Sequence, residues 1–585
     1  MTDFSSEKEF RLRRGSHILG YIRQFSATEK VIFGILVIAM LISALAMAAR
    51  SADGFMTEVP AHGGTLREGI VGLPRTVNPV LAVTDADKDL SALVYAGLMR
   101  SEGGSIIPDI AESYVVSDDG LNYTFNLRQG VRFHDGRELT AADVAFTIQK
   151  IQDPALKSPR RADWVNVAVS EISPTEIQFS LKQPYTPFIT NTTVGILPKH
   201  IWGEVSDEQF IFSQYNIEPI GAGPYKISSI SRDAGGIPTK YDLSVWRRYH
   251  GQEPHISTIV FNFFADEEKA LAALHAGHVD SIGTISPVPA ARLAAATAAR
   301  YTVISTPLPR IFGVFFNQNQ STVLSDKIVR QALDLAVDRD SMVKTILSGY
   351  GDPIRGPLPP GTAGTSTPVD GSANIADAQE LLEKNGWKIN SSGIYEKKVG
   401  TSVRLLSFSL YTADVADLKQ AADMVKASWT ALGAKVELKV FEPSDLYQNI
   451  IRTRKYDALL FGEQIGKDRD LYAFWHSSQR NAPGLNVAMY TNSSADKLLE
   501  EIRSSKDDAV RAEKYRRFEQ VVRTDIPAIF LYAPRFIYAV PKTLNLGRLD
   551  GMTVPSDRWN SIASWYVTTE KVWRIFAGDE AQVGI

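Results

Sequence analysis

The polar segment 464–477, QIGKDRDLYAFWHS, carries the side chains best suited to hold a ligand. It follows the apolar run Tyr456–Glu463, which has the composition of a buried strand. The end of a strand that opens into a cleft is where α/β proteins place ligand-binding groups. A carboxylate at such a place can pair with a cationic amine, and a charged hydrogen bond contributes about 1.5–3 kcal/mol. We predict that the ligand contacts come from Asp468, Asp470, Arg469, Tyr472 and Trp475.

Two structural alternatives stand beside this prediction. Asp468 and Asp470 would be purely structural if they were solvated or paired with Arg469 and the neighbouring lysine. The aromatic side chains Tyr472 and Trp475 would either line a cleft or pack in a core, and packing is the commoner role of such residues.

The remaining candidates for chemistry are weak. Motifs of nucleophilic, metalloprotease or phosphate-loop catalysis are absent from the sequence. The glycines of segment 219–225 lack the Lys-Ser/Thr that a phosphate loop needs, and His275 and His278 have no third metal ligand close by. With no cysteine in the chain, thiolate chemistry and disulfides are excluded. We therefore predict a binding protein rather than an enzyme, with no metal and no cofactor.

Length and composition bound the architecture. At 585 residues the chain is too long for one core, which predicts two or three domains. A hydrophobic share of 44% and a charged share of 22% are ordinary for a globular protein. The formal net charge of -3 gives no reason to expect a nucleic-acid partner.

The N-terminal region predicts a membrane segment. Val31–Ala49 is an uncharged apolar run, close to the roughly 20 residues that cross a bilayer as a helix. The basic residues lie upstream, which places residues 1–30 in the cytoplasm and the rest outside. The run exceeds the usual length of a signal peptide's apolar region, so an uncleaved anchor is favoured. The alternative is a signal peptide cleaved after Ala46-Met47-Ala48, which would leave a periplasmic or secreted protein.

Downstream, apolar strands alternate with amphipathic helices. Strands are predicted at Val403–Leu410 and Val436–Phe441, on either side of a helix over Asp414–Leu432. This strand–helix–strand order is typical of an α/β lobe.

The segment 108–154 is the most distinctive part of the chain. It reads PDIAESYVVSDDGLNYTFNLRQGVRFHDGRELTAADVAFTIQKIQDP. Tyr123, Phe125 and Leu127 alternate with polar residues, as in a half-buried strand, and Thr140 with Asp143 forms a capping box before a helix. The pattern resembles the signature of the extracytoplasmic solute-binding proteins of ABC transporters, family 5, the peptide/nickel class.

Further matches extend this resemblance over everything after residue 63. They include LPKHIW at 197–202, GAGPY at 221–225, VRQAL at 329–333 and the loop at 466–477, where Arg469 replaces a proline usual in the family. The resemblance implies an α/β periplasmic-binding-protein type II fold, with two hinged lobes and an inserted domain. In peptide-binding relatives an aspartate of the loop pairs with the ligand's ammonium, and Asp468 and Asp470 are the matching positions.

The resemblance also implies a domain division. Residues 1–30 would be a cytoplasmic tail, 31–49 the membrane helix and 50–63 a linker. Lobe I would combine residues 64–105, 220–310 and 527–570, around an inserted domain at 106–219 and a lobe II at 311–526.

The function implied is the capture of oligopeptides between the lobes and their delivery to a membrane permease with a cytoplasmic ATPase, by a monomer at the cell membrane. Relatives bind nickel chelates, haem, glutathione, sugars or opines, so another solute is the first alternative. A surface receptor or signalling binder that works without a transporter is the second.

Overall fold

The computed structural model describes residues 25–53, 56–296, 300–362, 370–466 and 470–573. Met1–Ala61 and Thr568–Ile585 form one unit, and His62–Val567 forms the other. The strands in chain order are β1 (Met56–Pro60), β2 (Thr65–Val71), β3 (Met99–Glu102), β4 (Ser105–Pro108), β5 (Ala111–Val116), β6 (Asn122–Leu127), β7 (Val167–Ser173), β8 (Glu176–Leu181), β9 (Tyr225–Arg232), β10 (Pro238–Val245), β11 (Thr258–Phe264), β12 (Ser281–Gly283), β13 (Tyr301–Pro307), β14 (Arg310–Phe316), β15 (Gly351–Pro353), β16 (Lys388–Ile389), β17 (Tyr395–Val399), β18 (Ser402–Leu405), β19 (Ser407–Ala413), β20 (Lys435–Phe441), β21 (Ala458–Gln464), β22 (Ala528–Pro541) and β23 (Thr569–Trp573).

The longer α-helices lie between these strands. In chain order they are α1 (Ala27–Asp53), α2 (Asp85–Val94), α3 (Ala141–Gln152), α4 (Glu267–Ala276), α5 (Pro287–Ala296), α6 (Lys327–Leu335), α7 (Arg339–Ile346), α8 (Ile375–Lys384), α9 (Ala416–Leu432), α10 (Ser493–Ser504) and α11 (Asp508–Asp525).

The smaller unit contains α1 and a two-stranded ribbon. Over Ala27–Ala44 the helix has a mean hydropathy of 1.9, and it is long and apolar enough to cross a membrane by these two criteria. Strand β1 pairs antiparallel with β23, and Met56 lies opposite Trp573. The end of α1 and all of β1 thus occupy residues predicted as a linker. Five residues become a strand here only because a partner from the other end of the sequence pairs with them, which no local pattern indicates.

The larger unit is organised by a 12-stranded mixed sheet. Its main path runs β20-β19-β21-β14-β22-β12-β2-β11-β10-β9, and β13 and β15 both pair with β22. The long strand β22 joins the two halves of the sheet. Residues 528–534 pair with β14 and β15, and residues 535–541 pair with β12 and β13.

Helices cover both faces of the half that contains β14, so its strands are apolar on both sides, as is usual for buried sheets. Along β14, Val314 and Phe316 pack in one hydrophobic cluster, whereas Ile311 and Phe315 pack in another. The helices α6 and α9 contribute to the first cluster, and α10 and α11 contribute to the second. The predicted α/β character of this region is confirmed.

The distinctive segment 108–154 forms part of a separate four-stranded sheet of order β5-β6-β8-β7. Tyr123, Phe125 and Leu127 on β6 are buried, as the alternation predicts. The carboxylate of Asp143 accepts hydrogen bonds from the backbone N–H and the hydroxyl of Thr140, at 2.9 and 3.1 Å, at the start of α3. Local sequence therefore accounts well for this segment.

A buried ionic network ties together distant parts of the larger unit. The guanidinium of Arg558 donates to Asp89 at 2.9 and 2.6 Å and to Glu68 at 3.1 Å. Glu68 also accepts hydrogen bonds from the hydroxyl of Tyr538, at 2.9 Å, and from that of Ser281. All five side chains are buried. Two carboxylates therefore share one guanidinium away from water.

We expect this network to make stability depend on pH. Burial raises the pKa of Asp89 to about 6, although Arg558 acts in the opposite direction. Between its ordinary pKa of 3.8 and about 6, the folded state holds a proton that the unfolded state has released. The stability that this proton contributes is therefore present at low pH and lost as the pH rises through about 6.

Urea unfolding of the detergent-solubilised chain at pH 5 and pH 7.5 measures this effect. From pH 5 to pH 7.5, the free energy of unfolding of the wild type should fall. This decrease should be about 1 kcal/mol larger than that of Asp89→Asn, which lacks the titrating group. Equal pH dependence of the two proteins would contradict the assignment.

Candidate functional site

A cavity of about 460 Å³ lies in the larger unit, beside α2. Its walls come from α2, from β3, from the segment Thr190–Gly195 and from the 3₁₀ helix Pro555–Ser564. Gly466, in the loop after β21, also lines it. The volume is in the range of small-molecule binding sites in proteins. These elements belong to the parts of the chain predicted as lobe I, the inserted domain and lobe II.

Two glycines allow the segment before β9 to approach the end of α2 closely. The crossing segment 219–225 leads into β9, and a Cβ on Gly221 would lie 2.1 Å from the carbonyl oxygen of Val94. A Cβ on Gly223 would lie 2.4 Å from the carbonyl oxygen of Leu93. The glycines that suggest a phosphate loop are therefore needed because a side chain there would clash with the backbone at the end of α2. Tyr95, which follows in sequence, lines the cavity.

His134 supports the same crossing from the distinctive segment. Its Nε2 lies 3.0 Å from the carbonyl oxygen of Gly223, and its backbone N–H donates to the carbonyl of Gly221 at 2.8 Å. Burial lowers the pKa of His134 to about 4, so the imidazole is neutral at pH 7. The ring also accepts a hydrogen bond at Nδ1 from the backbone N–H of Gly221, at 3.4 Å, and a neutral ring between two backbone groups has a scaffold role.

One carboxylate of the cavity wall is held by neighbouring side chains through its Oδ1. Asp109 accepts hydrogen bonds from the hydroxyl of Tyr249, at 3.1 Å, and from Nε2 of His250, at 2.8 Å. Burial raises the pKa of Tyr249, so its hydroxyl remains a donor. Arg100 approaches the same carboxylate at 3.9 Å and pairs more closely with Glu102, at 2.7 Å.

The predicted ligand loop is only partly described. Asp468 and Arg469 lie outside the described residues, so their roles stay predictions. Asp470 is nearly buried and accepts hydrogen bonds from Nε of Arg503 at 2.8 Å and from the backbone N–H of Tyr472 at 3.0 Å. In this structure Asp470 is paired with Arg503, a partner that the structural alternative for that residue does not name. Its part in ligand binding remains a prediction.

The aromatic residues of the loop pack in different surroundings. Trp475 is fully buried, with ring-centroid distances of 6.1 Å to Phe315 and 5.7 Å to Phe530. Tyr472 is half-buried and stacks on His476 at 4.0 Å. In the described part of the loop, Gly466 lines the cavity, whereas Asp470, Tyr472 and Trp475 are not among its lining residues.

Arg503 connects this loop to the segment predicted as the inserted domain. Its guanidinium lies 3.9 Å from the ring centroid of Tyr472 and 5.3 Å from that of Tyr185. The backbone carbonyl of Arg503 also accepts a hydrogen bond from the backbone N–H of Thr186, at 3.0 Å. Close by, Nζ of Lys506 donates to the carbonyl of Asp118, at 2.9 Å. The C-terminal end of α10 thus bridges two parts of the fold.

We expect Arg503→Gln to weaken this bridge moderately. The ion pair with Asp470 is partly exposed and contributes about 1 kcal/mol or less, and the contact with the aromatic rings adds about 0.5–1 kcal/mol. A double-mutant cycle with Asp470→Asn, followed by urea unfolding, should give a coupling energy of about 0.5–1 kcal/mol.

The control for this cycle is Arg516→Gln, because Arg516 pairs with Glu513 on the exposed face of α11. Its loss should change the free energy of unfolding by less than about 0.5 kcal/mol. A coupling energy near zero between Arg503 and Asp470 would contradict the bridge.

Several residues of the cavity were not predicted from the sequence. Arg160, Trp559 and Asp109 come from three distant stretches, and no spacing relates them. Tyr95 lies in a segment that resembles the family pattern, but nothing there indicates a cavity. Outside the cavity lining, Glu463 ends the apolar strand before the predicted loop, and its side chain is buried beside Trp475. Burial raises its pKa well above the usual range, which favours the neutral acid.

Comparisons with known proteins agree with this architecture. Residues 105–483 match the family described as bacterial extracellular solute-binding proteins, family 5. The chain is 30% identical over 497 residues to the oligopeptide-binding protein AppA of Bacillus subtilis, covering 83% of this chain and 89% of AppA.

Solved structures extend the match to three dimensions. AppA from Bacillus subtilis in complex with a nonapeptide superposes with a TM-score of 0.64 at 27% identity, covering 87% of this chain and 100% of that one. The ABC transporter substrate-binding protein CtaP of Listeria monocytogenes superposes with a TM-score of 0.72 at 26% identity, over 87% and 100% of the two chains. The predicted periplasmic-binding-protein type II fold is therefore confirmed, and the chain belongs to family 5 of the bacterial extracellular solute-binding proteins.

Proposed function

We propose that this protein captures oligopeptides in the cavity beside α2 and delivers them to the permease of an ABC importer. The observation that carries the proposal is the cavity of about 460 Å³, which parts of both predicted lobes and of the predicted inserted domain line together. The similarity of the whole chain to AppA, which was crystallised with a nonapeptide, favours a peptide over other solutes. The protein binds and releases its ligand without converting it.

We further propose that the protein acts as a monomer held at the outer face of the cell membrane by α1. The apolar helix supplies a tether that a chain without cysteine cannot obtain from a lipid-modified thiol. The lobes, divided as predicted from the sequence, close around the ligand because it binds the closed state better than the open one. The permease then recognises the closed form.

Identification of the co-purified ligand tests the proposal. The full chain is purified in detergent, denatured with acid, and the released small molecules are analysed by mass spectrometry. A mixture of short peptides is expected. A sugar, an opine, haem, glutathione or a nickel complex would instead overturn the oligopeptide assignment.

A cavity-filling variant shows whether the recovered peptides come from this site. Ala82 is a half-buried residue of the cavity wall, so Ala82→Trp should reduce the recovered peptide severalfold. Ala142 is equally half-buried on α3 but does not line the cavity, so Ala142→Trp is the matched control. Equal peptide recovery from both variants would place the ligand elsewhere.

A further inference from the structure

Three of the four carboxylates that line the cavity accept hydrogen bonds from neighbouring groups. The Oδ1 of Asp109 accepts hydrogen bonds from Tyr249 and His250. Asp557 accepts hydrogen bonds from the backbone N–H and the hydroxyl of Thr553, at 2.8 and 2.7 Å, as part of a helix cap. Glu102 pairs with Arg100. Asp163 is the exception, and burial raises its pKa, which favours its neutral form.

Some of the donors that line the same cavity have no acceptor among the described residues. The Tyr95 hydroxyl and the Trp559 indole N–H are buried and have no hydrogen-bond partner among the described residues. The ammonium of Lys88, half-buried on α2, makes no ion pair with a described residue. Buried polar groups are normally satisfied, so several unused donors in one cavity indicate a ligand that brings acceptors.

Arg160 is the strongest of these donors. It is half-buried in the cavity wall, its Nε is buried without an acceptor, and its side chain forms no ion pair with the residues that the structure describes. Asp163 and Asp557 act on it only from beyond ion-pair distance. An arginine kept in a recess without a partner is costly unless something else pairs with it.

The backbone around Arg160 is fixed, so its side chain is presented from a rigid position. Its N–H donates to the hydroxyl of Ser158 at 3.2 Å, and that hydroxyl donates to the carbonyl of Val80 at 2.6 Å. The neighbouring Arg161 differs, because its Nε donates to the carbonyl of Gln152 at 3.0 Å. Of these two adjacent arginines, Arg161 is structural and Arg160 is available.

We propose that the cavity fixes the carboxylate of its ligand on Arg160, and that Tyr95, Trp559 and Lys88 donate to the same acceptor-rich end. This inference rests on the proposed function, and it specifies which chemical group of the ligand the cavity recognises. The planar fork of a guanidinium matches a carboxylate in two parallel hydrogen bonds. For a peptide, the carboxylate is that of the C-terminus or of an acidic side chain.

Calorimetric titration of the ligand-stripped full chain in detergent tests the proposal. The probes are trialanine and pentaalanine, each as the free acid and as the C-terminal amide. The wild type should bind the acids about tenfold or more tightly than the amides. Arg160→Gln should lose this preference and bind the amides unchanged. Arg292→Gln, at an exposed arginine outside the cavity, should behave as the wild type.

Arg160→Lys keeps the charge without the planar fork, and it should retain part of the preference. Its thermal midpoint and that of Arg160→Gln are compared with the wild type, so that a folding defect is separated from a binding defect. Equal affinity of the wild type for acids and amides would overturn the proposal. A full preference for the acids in Arg160→Gln would overturn it too.

A titration with succinate distinguishes this inference from the oligopeptide assignment. If neither acid nor amide peptides bind, the peptide function is contradicted, and succinate becomes the probe. Binding of succinate that Arg160→Gln abolishes would then support a carboxylate site for a non-peptide ligand. No binding of succinate in that case would contradict the carboxylate site as well.

Discussion

Replacing Arg558 by methionine is expected to lower the free energy of unfolding by about 3–5 kcal/mol. Arg558 is 2% exposed and is the cation shared by Glu68 and Asp89, which are equally buried. Methionine fills similar volume, so the loss reflects two buried carboxylates left without their partner rather than a void. Urea unfolding of the detergent-solubilised chain measures the change.

Two further variants show whether the charge is the cause. Arg292→Met, at an exposed site, should change the free energy of unfolding by less than about 0.5 kcal/mol. Adding Asp89→Asn to Arg558→Met removes one of the stranded carboxylates and should recover about 1 kcal/mol or more. If Arg558→Met alone were as stable as the wild type, the network would be redundant for folding.

Gly221→Ala is expected to cost about 3 kcal/mol, at the upper end of the range for overpacking. The added Cβ would lie 2.1 Å from the carbonyl oxygen of Val94, and both partners are backbone atoms that cannot rotate away. The same shift would move Tyr95 in the cavity wall, so binding of the native ligand should weaken together with stability.

Gly235→Ala is the matched control for this prediction. Gly235 lies in the turn between β9 and β10, and a Cβ there would meet only the side chain of Asp233, at 3.3 Å. Its stability should remain within about 0.5 kcal/mol of the wild type. Wild-type stability and affinity in Gly221→Ala would show that the two backbones can separate without cost.

Regular elements follow from local sequence, whereas the interactions that join them do not. The alternation of Tyr123, Phe125 and Leu127 predicts β6, and Gly433 ends α9 in the left-handed conformation that glycine favours. Glu68 and Arg558 are separated by 490 positions, and neither has neighbours that indicate a partner. Charged residues are usually solvated, so a buried pair cannot be inferred without the fold.

The candidate site shows the same division. The resemblance of the loop at 466–477 identifies a segment at the cleft, and Gly466 does line the cavity. The partner of Asp470, however, is Arg503 on α10, and Arg160 is a charged cavity residue that forms no ion pair with the described residues. Which charge is neutralised depends on tertiary distances of a few ångströms, and sequence spacing carries no information about them.

The ribbon of β1 and β23 places its residues close in sequence and in pairing to the end of α1, so a probe on the ribbon would report on the surroundings of that helix end. Trp573, the last residue of β23, lies opposite Met56, and Met56 comes three positions after the end of α1 at Asp53. The end of the described chain therefore returns to the point where the apolar helix ends. A fluorophore placed at position 573 would sense the lipid headgroups next to a membrane-inserted α1. Quenching of Trp573 by brominated lipids would reveal whether α1 is embedded in the bilayer.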